Sequence, residues 1–349
     1  CVLDIAVVDI LRTKRFLIGT MQIFIGAGLA GVAFTIPTSD PLKYTMAFLW
    51  LLAFSSATHD IAADGFYMHA LSSHDQAWMI GIRNTFYRFA ILFGQGLLVM
   101  IAGKLEIWTG NVTTAWSVTF GLLGGLFIIF SIYHHWMLPL PKSDQPHPNP
   151  SLAETVRNFI NVFISFFKKP KMSIVIIFIL LYRFGEAQLV KIAPLFMLDS
   201  IEAGGLGLTT IELGFANGTI GTIMLTLGGI MGGFFAAKHG LKFWIIWMAL
   251  AMKLPDLVYV FMAWAQPESY LLISSFIAIE QFGYGFGFTA YLLYMMMVAE
   301  GEHKTAHYAI CTGFMALGMM IPGMFSGVLQ EYIGYYHFFI WIMIATIPG

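Results

Sequence analysis

The stretch Ala53–Arg88, AFSSATHDIAADGFYMHALSSHDQAWMIGIRNTFYR, decides how the rest of the chain is read. Two apolar segments meet at a short polar hinge, SSHDQ. Both carry ionisable groups where lipid should forbid them: His59, Asp60 and Asp64 before the hinge, Arg83 and Arg88 after it. An ionised side chain at the centre of a spanning helix costs about 3 kcal/mol or more unless it is paired or faces water. Groups placed in this way point to a polar route through the bilayer, as a carrier requires.

The surrounding composition agrees. Of 349 residues, 58% are hydrophobic and 11% charged, against roughly 25% charged in a soluble domain. Apolar blocks of about 20 residues recur from end to end, the pattern of an all-α membrane protein. A net charge of −1 and the lack of a basic arm give no footing for nucleic acid. Of the two cysteines, Cys1 is terminal and Cys311 lies in an apolar block, so neither a disulfide framework nor a cysteine metal site is expected. The opening CVLDIAVV reads as the tail of a helix, and the closing YYHFFIWIMIATIPG as a helix cut short.

Between these ends, helices are expected at about 16–36, 44–71, 76–103, 114–138, 172–199, 211–237, 243–264, 270–299 and 306–330, with a last one starting near 335. Residues 139–171 form a linker with a proline-rich start. Its SLAETVRNFINVFISFF portion suits an interfacial amphipathic helix, with Ser151 and Glu154 as a capping box. The basic loops lie on one side: alternate loops hold 11 Lys and Arg residues and the others 2. This places the linker in the cytoplasm. An offset of 229 pairs Asp9 with Lys238 in one short basic loop and Ala77 with Ala306 in another, which argues for two homologous halves.

Two six-helix halves joined by a cytoplasmic linker resemble the major facilitator superfamily: residues 1–138 form a first bundle, 139–171 the linker, and 172–349 a second bundle. Twelve helices are then expected, with helix 1 and most of helix 2 absent from this chain and helix 12 truncated. More narrowly, SSATHDIAADGFYMHAL, the Tyr87-Arg88 pair, LLYRFGEAQ and AIEQFGYGFGFTAYLLYMM resemble motifs of the AmpG-like muropeptide permeases and their relatives, the acetyl-CoA transporters. His59 departs from that pattern, where glutamine is usual, as does His69, where a carboxylate is usual. The resemblance implies proton-driven import of a sugar-peptide by a monomer in the bacterial inner membrane, with the proton as coupling ion and no other cofactor. It also implies that the fourth, seventh and tenth helices line a cavity, and the strongest central charges fall on those helices here.

Candidate proton carriers are therefore Asp60, Asp64, Glu186 and Glu280. Asp60 and Asp64 share a helix face at i and i+4, with a structural pairing to Arg88 as the plainer reading. His59, Tyr87, Arg88, Arg183 and Gln281 are candidates for binding an anionic substrate. Arg183 and Glu186, at i and i+3, form either a switchable pair or a permanent one, with Lys191 beyond them. Lys253 and Asp256 flank Pro255 and read as a local pair at a kink in a peripheral helix. His134-His135 read as interfacial, and Asn111-Val112-Thr113 is a glycosylation sequon. Glycines 214, 218, 228, 229, 232, 233, 283 and 287 read as close helix packing. Two other classes stay open: a membrane-embedded enzyme holding a divalent metal through His59, Asp60, Asp64 and His69, and a non-transporting receptor. Without a Gly-Lys-Ser/Thr motif after the glycines, nucleotide binding is not expected.

Overall fold

A computed structural model describes residues 14–70, 86–139, 152–301 and 303–348. Arg83 and Ser151 lie outside them, and the side chains of Asp64, His69 and Glu154 are likewise not described. Among the described residues the secondary structure is entirely helical. Helix α1 spans Lys14–Thr35 and α2 Pro41–Ala70. Next come α3, Phe86–Thr109, and α4, Val112–Met137. The linker helix α5 covers Leu152–Phe167. Four long helices follow: α6 Met172–Leu198, α7 Thr210–His239, α8 Leu241–Ala265 and α9 Tyr270–Ala299. Helix α10, Lys304–Ala345, closes the described chain. Among the described residues, eight helices are long and apolar enough to cross a membrane.

The chain forms two compact units. Cys1–Ala90 with Ile101–Phe159 make one, and Ile91–Met100 with Ile160–Gly349 make the other. In the first, α1 packs between α2 and α4. Gly26 on α1 lies against the Gly124 carbonyl of α4, where a methyl group would not fit without a shift. Gln22 on α1 hydrogen-bonds His134 at 2.9 Å, so this histidine is tied between helices rather than purely interfacial. The sequon asparagine, Asn111, caps α4 by accepting from the Thr114 amide at 2.9 Å.

In the second unit, α9 is wedged between α7 and α8. A methyl on Gly228 or Gly285 would overlap the facing carbonyls of Phe282 and Leu225, and one on Gly283 or Gly287 those of Ala251 and Met248. The glycine reading holds at these positions. It fails at Gly233, which faces open space. Two π-helical stretches, Leu92–Leu97 in α3 and Gly214–Gly221 in α7, meet at Gly96 and Gly218. Expected and observed helices agree closely, except that α3 runs on to Thr109 where a loop is expected from 104; the expected break at 331–334 is present at Gly334, whose non-helical φ of 74° suits glycine.

Candidate functional site

Two breaks in regular helix and one unbroken helix build the site in the second unit. Helix α6 interrupts at Arg183, which has φ −109° and ψ 17°. This puts Glu186 in the first turn of the renewed helix. Pro255 forces the 3-10 turn Leu254–Asp256 in α8, because proline offers no amide to continue the ladder. Helix α9 is unbroken and brings Glu280 to the same place. Glu186, Asp256 and Glu280 are all buried, and one carboxylate oxygen from each lies within 4.8 Å of the others.

The surroundings are sparse in donors. Tyr259 Oη and Gln281 Nε2 both donate to Glu280 Oε2, at 3.4 and 2.9 Å. Both oxygens of Asp256 and Oε2 of Glu186 have no hydrogen-bond partner. Arg183 is buried beside Glu186, yet its Nη2 donates to the Tyr284 hydroxyl and its Nε is unpartnered. Its guanidinium carbon stands 5.3 Å from the Tyr284 ring centroid and 4.8 Å from that of Phe288, within cation–π range. At 4.8 Å, two like charges repel by about 3.5 kcal/mol at an effective dielectric of 20. Three carboxylates so placed therefore need a neutralising species beyond Arg183: protons or a cation. Their all-oxygen donor set would suit a hard cation, although Ca²⁺ ordinarily takes six to eight oxygens and Mg²⁺ six.

Lys253 and Asp256 share no hydrogen bond, although each lies within reach of the other's charge. Lys253 Nζ donates to the Thr346 carbonyl at 2.8 Å and lies 5.2 Å from the Tyr182 ring centroid. Asp256 instead turns toward Glu186 and Glu280. Tyr259, Tyr284 and Asp256 are members of the site that the sequence reading left out. Arg183 makes no hydrogen bond to Glu186, its Nη2 being taken by Tyr284, although its charge acts on that carboxyl. Lys191 is exposed and Gln281 half-buried.

In the first unit, His59 Nδ1 lies 3.9 Å from Asp60 Oδ1, with the Asp60 side chain 75% exposed. His59 Nε2 is buried without a partner. Tyr87 and Arg88 are exposed.

A family model described as Major Facilitator Superfamily matches residues 6–321. The chain belongs to the Major Facilitator Superfamily. The superfamily consists of integral membrane transporters, which are not enzymes, and this membership sets aside the metal-enzyme reading of His59, Asp60, Asp64 and His69. Among curated relatives, the anhydromuropeptide permease of Escherichia coli (strain K12) is 22% identical over 338 residues, 97% of this chain and 65% of that protein. The putative transporter AmpG 4 of Rickettsia conorii is 24% identical over 86% of this chain and 69% of its own length. The chain thus spans about two thirds of these relatives. A crystal structure of a bacterial homologue of the human lysosomal transporter Spinster, inward-facing and unoccupied, matches with a TM-score of 0.68 at 16% identity, over 99% of this chain and 82% of that one. That likeness supports the superfamily fold.

Proposed function

We propose that this transporter imports an anionic sugar-peptide of the anhydromuropeptide class across the bacterial inner membrane, driven by protons and working by alternating access. The buried carboxylate cluster Glu186–Asp256–Glu280 carries the coupling part of this reading. Its unpartnered oxygens are acceptors waiting for protons, and α6, α8 and α9 each contribute one group. A rearrangement of any one helix changes the spacing of the cluster and therefore how many protons it holds. Arg183, permanently charged, stands next to the cluster and attracts an anionic portion of the substrate. Gln281 adds a polar contact.

His59, Asp60, Tyr87 and Arg88 belong to the substrate path of the first unit in this reading. The exposure of Asp60 suits a group that meets water and solute. Asp64 is assigned to the same path from its i+4 spacing alone. The substrate class and the inward direction rest on the likeness to the muropeptide permeases, and the cytoplasmic linker on the basic loops. The chain works as a monomer.

The test is uptake of radiolabelled anhydromuropeptide into vesicles carrying the protein, with an imposed pH gradient. Accumulation that collapses on adding a protonophore is expected. Accumulation indifferent to the protonophore but dependent on sodium would replace the proton by a metal cation at the cluster. Gradient-driven uptake of a different anionic solute, with none of the muropeptide, would keep the coupling and overturn the substrate.

A further inference from the structure

The segment Ile160–Lys171, from the end of α5 to the start of α6, has one face committed and another uncovered. On the committed face, Ser165 Oγ hydrogen-bonds His307 Nε2 on α10 at 2.9 Å. Phe166, fully buried, packs against the rings of His307 and Phe314, with centroids 5.5 and 6.4 Å away. Lys169 Nζ donates to the carbonyls of Val298 and Glu300 at 2.7 Å each, capping the C-terminal end of α9.

The uncovered face is apolar. Ile160, Ile164 and Phe167 are 48%, 45% and 48% exposed, and their i, i+4, i+7 spacing puts them in one stripe. Exposed Lys168 and Lys171 follow immediately, and neither shares the cap made by Lys169. At Lys171 the backbone takes φ 58° and ψ 23°, ending the segment before Met172 begins a membrane-crossing helix. Ile174 and Ile177 at the start of that helix are 64% and 56% exposed, so outward-facing apolar surface continues directly into the span. The segment is therefore held at the edge of the bilayer, with an apolar stripe and a pair of cations beside it. A leaflet bearing anionic headgroups supplies the complement to both, acyl boundary for the stripe and phosphate for the lysines.

We propose that Ile160–Lys171 is a lipid-docking site: the stripe Ile160–Ile164–Phe167 enters the adjoining leaflet, and Lys168 and Lys171 bind anionic phospholipid headgroups. The proposal rests on the segment's own contacts and not on the coupling reading. Because Ser165, Phe166 and Lys169 tie the same segment to α9 and α10, leaflet charge reaches the ends of these two helices through it.

The test uses Phe167→Trp protein, read as a fluorescence difference from the parent, in vesicles of phosphatidylcholine with brominated phosphatidylglycerol or brominated phosphatidylcholine. Both brominated lipids should quench the added tryptophan, with phosphatidylglycerol preferred by about 30-fold at low salt, about fivefold for each lysine. Adding Lys168→Gln and Lys171→Gln should leave quenching by phosphatidylcholine intact and remove the preference. Retained quenching also shows that the segment is still docked. Equal quenching by the two lipids before the lysines are changed overturns headgroup recognition. No quenching by either lipid overturns docking on the bilayer and points to a protein cover.

Discussion

Two sets of acidic groups sit in the two units of this transporter, and their surroundings differ in kind. In the second unit, Glu186, Asp256 and Glu280 are buried together, with three oxygens lacking any partner. In the first, Asp60 is 75% exposed, with His59 beside it. Burial turns proximity into a constraint, since a buried cluster must bind something to balance its charge, whereas a carboxylate at the protein surface is open to partners from outside. The same residue type thus suits coupling-ion binding in one place and contact with solute in the other.

The difference can be broken at several points. The largest expected effect is on accumulation: Glu186→Gln, Asp256→Asn or Glu280→Gln should each lower gradient-driven uptake about 100-fold, the scale for losing one proton-transferring group. Folded protein should be retained, as judged by monodisperse elution in detergent. Wild-type accumulation in all three variants would dismantle the contrast. Asp60→Asn should instead raise the half-saturating substrate concentration by about tenfold, the scale of one lost charged contact, with the gradient dependence of uptake kept. Loss of gradient dependence in this variant would move coupling into the first unit.

Smaller effects sharpen the packing behind the cluster. Gly228→Ala, which drives a methyl into the Phe282 carbonyl, should lower stability by about 1–3 kcal/mol. Gly233→Ala, in open space, should leave it unchanged or raise it by up to about 1 kcal/mol. Thermal unfolding in detergent compares the two. The smallest effect concerns Lys253 and Asp256. A double-mutant cycle with Lys253→Met and Asp256→Asn should give a stability coupling of at most about 1 kcal/mol, since the two charges act on each other without a hydrogen bond between them. A coupling of about 3 kcal/mol or more would restore them as a bonded ion pair.

Much of the site was legible because charge is expensive in an apolar run. Glu186, Glu280 and Arg183 stand out in the sequence for that reason alone. Asp256 has the same signal, but its neighbour Lys253 at i−3 offered an apparent partner, and helical geometry puts the two on one face. That local partner hid the two carboxylates from α6 and α9 that Asp256 also meets, a tertiary outcome that spacing does not encode. Tyr259 and Tyr284 carry no sequence signal that separates a hydroxyl reaching a carboxylate or an arginine from one facing lipid. Helix positions were legible nearly throughout, since length and apolarity suffice to mark a span. The end of α3 was not, because Lys104 and Glu106 read as a polar loop although the helix carries them on to Thr109.

The glycines flanking α9 bear on how such a protein can change. Carbonyls of α7 and α8 lie where side chains would otherwise grow from Gly283, Gly285 and Gly287, so those positions accept hydrogen and nothing larger without displacing a neighbouring helix. Glu280 is mounted on a rod clamped from both sides by main chain. Divergence in what is carried must therefore be written in the side chains around that rod, while the rod itself stays fixed.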